Sequence, residues 1–318
     1  MERLIMAHKT WLFVSANPEK ESALFEWLIS HCRQQTIQLT MLVVLPKLSH
    51  SVFEWFKILH HPDVLQKQTD YEISKRQDWI DFAEEQNVNL NIEIRFGKLF
   101  YETILLADEH KVELLVKQTY DIEHEENLLF QSVDWHLLRK SPVPLLLYRA
   151  NTPLPFTNVM ASLDLDIETQ PYSSTEFNQS LLDWAARFKG SNPIKAVHAW
   201  QSEVENLVRH WHTDITEDEL IKLSEQLYLE HKQALQVELS AHNTHSEPAQ
   251  VFLTKGEPAD AIAATVAEQK VDLLVLGTLA RSGIPGLLIG NTAEDLLERV
   301  NCSVLAIKPN TFKSPILA

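Results

Sequence analysis

Short apolar runs alternate with longer stretches of helical periodicity along the chain. Most of these runs are rich in Leu, Ile and Val and show no polar alternation. Strands that are apolar on both faces and separated by helices are typical of a parallel sheet covered on both sides. We therefore predict strands at residues 11–16, 37–44, 90–96, 113–117, 144–148, 158–163, 193–199, 250–254, 272–277 and 303–308.

Helix signals lie between the predicted strands. Thr216 followed by Glu219 forms a capping box, which predicts a helix that runs to about Ser240. Pro258 follows Gly256 at a position that suits the first turn of another helix. The stretch TAEDLLERV, after the fourth strand of the second half, predicts a third.

The chain contains an internal repeat. Residues 97–119 align with residues 256–278 without a gap at an offset of 159, which places VELLV over VDLLV. The same offset places residues 141–149 over 300–308. The predicted fold is therefore α/β, with two tandem doubly wound five-stranded parallel-sheet sandwich domains. The Pro-containing stretch RANTPLPFTN divides them, giving domains at 1–150 and 151–318.

Composition limits the classes of partner. The formal net charge of −16 opposes binding to nucleic acid or to an anionic membrane surface, because phosphates are bound largely by Lys and Arg. Cys32 and Cys302 are too few and too far apart for a disulfide framework, so we interpret both as core residues. We find no apolar run long enough to span a bilayer and no cleavable leader pattern, and we expect a cytoplasmic protein.

The glycines point to a ligand site. Four of the seven glycines in the chain, Gly277, Gly283, Gly286 and Gly290, fall between the end of a predicted strand and the start of a predicted helix. Ligands of open parallel sheets bind beyond the carboxyl ends of the strands, and a helix start attracts anions. Glycine lets the backbone approach such a ligand closely.

This loop and the repeat resemble the universal stress proteins, especially their tandem members, and the resemblance extends over essentially the whole chain. It implies an adenine nucleotide alpha hydrolase-like fold and, in nucleotide-binding members, a Gly-x2-Gly-x9-Gly-[Ser/Thr] motif that holds ATP phosphates, with a first-strand Asp facing the adenosine. Mapped onto this chain, it implies ATP or AMP with Mg²⁺ in the second domain. The expected binding residues are Asp164, Ala199, Leu276, Gly277, Ala280, Gly290, Asn291 and Thr292.

Two motif positions depart from the family pattern. Ala280 replaces a glycine, at a cost of about 1 kcal/mol if the glycine conformation is needed. Asn291 replaces the hydroxyl residue, although its amide can still cap the helix. One such loss weakens a site about fivefold to tenfold. Arg281 and Lys308 could supply compensating charge.

The first domain has lost the motif. The offset of 159 places Gln118 over Gly277 and Gln131 over Gly290, while acidic residues fill the loop at 121–126. Asn17 stands in place of the first-strand Asp. Because like charges repel phosphate, we expect no nucleotide in the first domain.

Other constellations favour structural interpretations. The histidines of RHWH (209–212) lack a metal-ligand spacing, so we expect them to be exposed and predict no metal site. His198 fits a packed strand end better than a pH-sensitive contact with the ligand. The amphipathic stretches 51–65 and 217–235 fit helices packed on a sheet, and the alternative is a lid over an apolar cavity for a lipid-like ligand.

The chain lacks the motifs of hydrolases, P-loop proteins and zinc enzymes. We therefore expect a stress-response binding module that is not an enzyme, with slow ATP hydrolysis as a less favoured option. The alternative is a nucleotide-independent scaffold or a carrier of an apolar ligand. From the resemblance we also expect the two domains to pair through their last strands as an intramolecular pseudo-dimer, and a homodimer of the whole chain stays open.

Overall fold

A computed structural model describes residues 9–58, 63–120, 130–165, 175–201, 216–242, 249–278 and 289–317. The chain forms two compact units, with the division between Ala150 and Asn151. Each unit is described separately below.

The first unit contains a five-stranded parallel sheet with the strand order β3-β2-β1-β4-β5. Its strands are β1 (Thr10–Val14), β2 (Gln38–Leu45), β3 (Leu90–Phe96), β4 (Leu114–Thr119) and β5 (Leu145–Arg149). Its described helices are α1 (Pro18–Gln35), α2 (His50–Ile58), α3 (Val64–Ser74), α4 (Gln77–Glu85), α5 (Leu99–Glu109) and α6 (Ser132–Lys140).

The second unit repeats this topology, with the parallel order β8-β7-β6-β9-β10. Its strands are β6 (Val159–Ser162), β7 (Lys195–Trp200), β8 (Gln250–Lys255), β9 (Leu273–Gly277) and β10 (Ser303–Ile307). Its described helices are α7 (Glu176–Phe188), α8 (Glu217–Ala241), α9 (Pro258–Glu268) and α10 (Asn291–Arg299). The predicted doubly wound α/β fold is confirmed in both units.

The burial of their side chains explains why the central strands have unbroken apolar sequences. Residues of β1, β4, β9 and β10 are almost all buried, because helices cover both faces of the sheet. The strands β3 and β8, by contrast, are largely half-buried or exposed, and their sequences LNIEIRF and QVFLTK include polar residues. The apolar runs therefore mark the strands that have helices on both faces.

The helix signals also act as predicted. Thr216 and Glu219 form the capping box at the start of α8, which ends at Ala241. Pro258 occupies the first turn of α9 after Gly256, whose φ of +146° favours glycine. Cys32 and Cys302 are both buried, and neither forms a disulfide bond.

The predicted domain bounds of 1–150 and 151–318 stay a prediction, and the structure adds one detail at the end of the chain. The segment Asn310–Ala318 belongs to the first unit. Ser314 is buried there, and its Oγ donates a hydrogen bond of 2.7 Å to the carbonyl of Lys140 at the end of α6. This side-chain bond has no sequence signature, because one Ser in the short segment NTFKSPILA does not identify its partner.

Within the described ranges, every helix falls short of the length and apolar character that a membrane crossing requires.

Candidate functional site

The order of strands reverses between β6 and β9 in the second unit, so the chain leaves these neighbouring strands toward opposite faces of the sheet. A crevice opens at such a switch point beyond the carboxyl ends of the strands. Here the backbone N–H of Gly290 donates to the carbonyl of Thr278 at 3.1 Å, which brings the start of α10 back to the end of β9. The two ends of the glycine loop are therefore adjacent.

The start of α10 faces this crevice. Gly290 is its N-cap residue, and none of the described side chains caps the helix. Asn291, Thr292 and Ala293, which form the first turn, line the cavity. A helix start carries unpaired backbone N–H groups and about half a positive charge, so this turn suits an anion such as a phosphate.

Asp164 lies on the other side of the crevice, just after β6. The side chain of Asn178, in the first turn of α7, accepts from the Asp164 N–H at 3.2 Å and donates to the Asp164 carbonyl at 2.9 Å. Asn178 is itself buried, and its N–H donates to the N-cap Thr175. These bonds fix the backbone from which the exposed Asp164 carboxylate projects.

A cavity of about 360 Å³ lies between these two walls. Seven of the eight residues predicted from the motif line it. They are Asp164, Ala199, Leu276, Gly277, Gly290, Asn291 and Thr292. Leu163, Phe177, Leu181, His198, Pro258 and Ile262 also line the cavity and were not predicted as site residues.

Two predicted contributors of the loop lie outside the described residues, namely Ala280 and Arg281. Lys308, the third residue considered there, is not among the described residues that line the cavity. Burial lowers the pKa of Lys308 to about 7, so this side chain carries only part of a charge at neutral pH.

Gly277 is glycine for a reason that the sequence does not show. A Cβ atom built at this position would lie 2.6 Å from Cε1 and 2.8 Å from Cζ of Phe177. Carbon atoms in contact are separated by about 3.5–4.0 Å, so any side chain at 277 would displace the ring. The space beside Gly277 is therefore filled by an aromatic ring of α7.

Two histidines connect the cavity wall to α8. His198 is buried, and its Nδ1 lies 3.0 Å from the carbonyl of Leu163, which can only accept. Nδ1 therefore carries the proton, and Nε2 accepts from Nδ1 of His231 at 3.0 Å. Burial, with a smaller effect of the neighbouring His198, lowers the pKa of His231 to about 4, so His231 is neutral near pH 7.

The first unit places a buried carboxylate beside the end of β1. The Glu21 carboxylate is fully buried there and accepts hydrogen bonds from Ser15 Oγ at 2.8 Å and from the backbone N–H of Ala16 and Asn17 at 3.0 and 3.2 Å. It also accepts from the hydroxyl of Tyr120. A carboxylate of the chain itself thus accepts hydrogen bonds from the backbone amides that follow β1.

Further polar contacts fill the first-unit positions that correspond to the second-unit cavity. Lys117 Nζ lies 2.8 Å from Asp134 Oδ1, and both side chains are buried. Gln118, the counterpart of Gly277, donates to the carbonyl of Lys20 at 2.9 Å. The expectation that the first domain holds no nucleotide stays a prediction, and the acidic loop at 121–126 lies outside the described residues.

A second, larger cavity of about 740 Å³ lies between α8 and the strands β7 and β8. Most of its lining side chains are apolar or aromatic, including Trp200, Leu220, Ile221, Tyr228, Leu229 and Leu253. We call it the α8 groove. The start of α8 borders this groove at Glu217, but Thr216 and Glu219 cap it and its first turn is acidic. The larger groove is therefore a poorer place for an anion than the start of α10.

None of the residues of the first-unit helix α2 is buried, whereas α8 buries Ala234, Leu235 and Glu238. Val52, Trp55 and Ile58 are exposed on α2.

Among the described residues, no group of three or more His, Cys, Asp or Glu side chains is arranged to hold a metal ion. Residues 202–215, which include the RHWH stretch, lie outside the described ranges.

The family model described as "Universal stress protein family" matches residues 7–149 and 171–308. Among curated proteins, the chain is 28% identical over 210 residues to the universal stress protein E homolog of Haemophilus influenzae, covering 64% of each chain. It is 23% identical over 257 residues to universal stress protein E of Escherichia coli K12, covering 77% of each chain. The match thus spans just under two thirds of the Haemophilus protein.

Solved structures show the same fold over almost the full length. A functionally unknown protein from Pseudomonas aeruginosa PAO1 matches with a TM-score of 0.67 and 19% identity, covering 96% of this chain and 94% of that one. A universal stress protein from Archaeoglobus fulgidus matches with a TM-score of 0.65 and 15% identity, covering 94% and 98%.

Proposed function

Because the chain belongs to the universal stress protein family, we propose that it is a stress-response protein whose second unit binds an adenine nucleotide, ATP or AMP, without turnover. The first unit is its structural partner, and the site of action is the cytoplasm. The nucleotide phosphates lie against the start of α10, and the adenosine part lies toward Asp164.

The observation that carries this proposal is the convergence of the predicted residues on one cavity at the β6/β9 switch point. Its volume of about 360 Å³ is within the range of small-molecule sites. The uncapped start of α10 on one side attracts negative charge, and Asp164 on the other accepts hydrogen bonds from hydroxyl groups such as those of a ribose.

The polar groups of the cavity suit binding better than catalysis. Asp164 is the one carboxylate among the described lining residues. His198, the one imidazole there, already has Nδ1 and Nε2 within hydrogen-bond distance of Leu163 and His231. A general base needs a free lone pair near the group that it deprotonates, so we expect no turnover. Mg²⁺ would enter with the nucleotide, held mainly by its phosphates.

The first experiment releases bound small molecules from the purified full-length protein and identifies them by chromatography and mass spectrometry. We expect an adenine nucleotide at close to one per chain. Absence of nucleotide, together with no heat on titration with Mg-ATP, would contradict the proposal. Phosphate release that is lost in Asp164→Asn would instead indicate a slow ATPase.

A second experiment restores the family motif. The double variant Ala280→Gly with Asn291→Ser should bind Mg-ATP at least tenfold more tightly than the parent, measured by calorimetry, because a crowding Cβ is removed and a hydroxyl donor is gained. The matched control is Gln131→Gly, which completes the same Gly-Ser pair in the first unit and should gain nothing. An unchanged affinity of the double variant would show that the phosphates do not lie at α10.

The α8 groove supports a second candidate function, the binding of an apolar ligand. The indole N–H of Trp200 is buried and makes no hydrogen bond to any described residue. Beside it, Lys255 donates to Ser224 at 2.8 Å and lies 5.2 Å from the Trp200 ring centre. An occupant with an apolar body and a hydrogen-bond acceptor would match this lining.

Native mass spectrometry and extraction with organic solvent test this second function. A co-purifying apolar molecule should be lost in Ile221→Asp, which places a charge in the groove. It should be kept in the control Val251→Asp, because Val251 is exposed and does not line the groove. Retention in both variants would place the ligand elsewhere.

A further inference from the structure

Phe177 lies in the crevice that a ligand of the second unit must enter. It is the second residue of α7, and its ring fills the space beside Gly277 at the end of β9. It also lines the cavity together with Asp164 and Gly290. The ring therefore lies at the end of β9, in the cavity beside the point at which the sheet order reverses.

At the corresponding place in the first unit, a side chain of the strand closes the crevice instead of a side chain of the helix. At the position that corresponds to Gly277, the strand carries Gln118, whose amide crosses to the start of α1 and donates to the Lys20 carbonyl at 2.9 Å. The adjacent Glu21 carboxylate accepts from Ser15, Ala16 and Asn17. In the first unit, the side chain of Gln118 at the end of β4 fills the space. In the second unit, the end of β9 carries Gly277, and Phe177 of α7 fills the space.

The two closures differ in their chemistry. Gln118 and Glu21 are held by hydrogen bonds whose donors and acceptors would be left unpaired if the side chains moved. Opening the crevice of the first unit therefore costs the free energy of these bonds. A phenyl ring makes no such bonds, and Phe177 is half-buried at the surface end of a helix. Rotation of its side chain to another staggered position gives up packing contacts but leaves no polar group unsatisfied.

We propose that Phe177 is a gate for the ligand site of the second unit: its ring occupies the space at Gly277 in the closed state and swings away to admit the ligand. This inference rests on the nucleotide site proposed above and adds its regulation. Gly277 then has two roles, because the absence of a Cβ lets the ring close and leaves the strand end bare when the ring opens.

The gate has a measurable consequence for affinity. When the competent state is populated by a fraction f, the apparent dissociation constant is the intrinsic one divided by f. Removal of the ring makes f close to one. We expect Phe177→Ala and Phe177→Leu to bind Mg-ATP about tenfold and about threefold more tightly than the parent, with faster association.

The experiment uses the full-length protein and measures affinity by calorimetry and association by stopped flow with a fluorescent N-methylanthraniloyl ATP. The matched control is Phe188→Leu, which makes the same change at the other end of α7, where Phe188 packs against Trp184 and Phe156. This control should lose stability and keep the affinity of the parent. Thermal unfolding of each variant shows that it is folded.

Each outcome decides between the two proposals. Tighter binding with faster association in both Phe177 variants, and not in the control, supports the gate. Weaker binding in Phe177→Ala would show that the ring is a contact surface for the ligand and would overturn the gate. The same test in the Ala280→Gly, Asn291→Ser background separates the claims: if that background binds and Phe177→Ala changes nothing, the gate fails alone. Failure of every variant to bind overturns the nucleotide site and the gate together.

Discussion

Truncation of Glu21 should destabilise the first unit strongly. Its carboxylate accepts from Ser15 Oγ, from two backbone N–H groups and from the hydroxyl of Tyr120, and it has no exposed surface. Ser15 in turn receives a bond of 3.1 Å from Nε of the buried Arg76. Glu21→Ala therefore removes the acceptor from the centre of a buried polar cluster.

The magnitude follows from the donors that lose their partner. Each buried donor without an acceptor costs about 1–3 kcal/mol, and four such costs do not simply add, because water can enter the space that the side chain leaves. Breaking a buried charged cluster by removal of one member typically costs about 3–5 kcal/mol. We expect a loss of this size for Glu21→Ala.

Hydrogen exchange read by mass spectrometry localises the effect. Exchange in β1 and β4 should become faster in Glu21→Ala, while exchange in β6 of the second unit stays as in the parent. The control Glu26→Ala changes an exposed residue of the same helix and should alter stability by less than about 0.5 kcal/mol. A loss below about 1 kcal/mol in Glu21→Ala would refute the view that this carboxylate holds the strand end together.

Three further outcomes are expected. Gly277→Ala should lower the free energy of unfolding in urea by about 1–2 kcal/mol, because its Cβ would overlap the Phe177 ring. This loss should fall to near zero in the Phe177→Ala background, and equal losses in both backgrounds would contradict the contact. Since His231 has a folded pKa of about 4, below its ordinary 6.5, the folded state binds fewer protons than the unfolded state between these values. Stability should therefore fall as the pH drops from 6.5 to 4, by about 1–2 kcal/mol after the full linkage value is reduced for solvent screening of this half-exposed side chain. His231→Gln should flatten this profile, and an unchanged slope would assign it to other groups. Asn178→Ala releases the backbone of Asp164 and should weaken Mg-ATP binding about fivefold to tenfold in calorimetry, whereas an unchanged affinity would show that Asp164 needs no such support.

The sequence predicted the fold well because the signals for the fold are local. All ten predicted strands are present, and the capping box at Thr216 begins its helix as expected. The two copies reinforce each other, since the same offset aligns strands of both halves. The grouping of Asn310–Ala318 with the first unit was not predicted, because the bond from Ser314 to Lys140 joins residues that are far apart in sequence.

The site was predicted in part. The motif identified residues that the structure brings to one cavity, and their role in binding stays a prediction. The reason for Gly277 was missed, because the ring that needs the space comes from Phe177, about a hundred residues earlier in the chain. Glu21 was missed as well, since it lies in the polar stretch PEKES, which reads as a solvated helix start. The pairing of the two domains through their last strands also stays a prediction.

The position of Ser314 has a consequence for how the protein is made. Domains usually fold in order as they emerge from the ribosome, the N-terminal one first. In this chain the hydroxyl that bonds to the end of α6 is translated after all the strands of the second unit. During translation the first unit therefore lacks this contact until synthesis has passed the second unit.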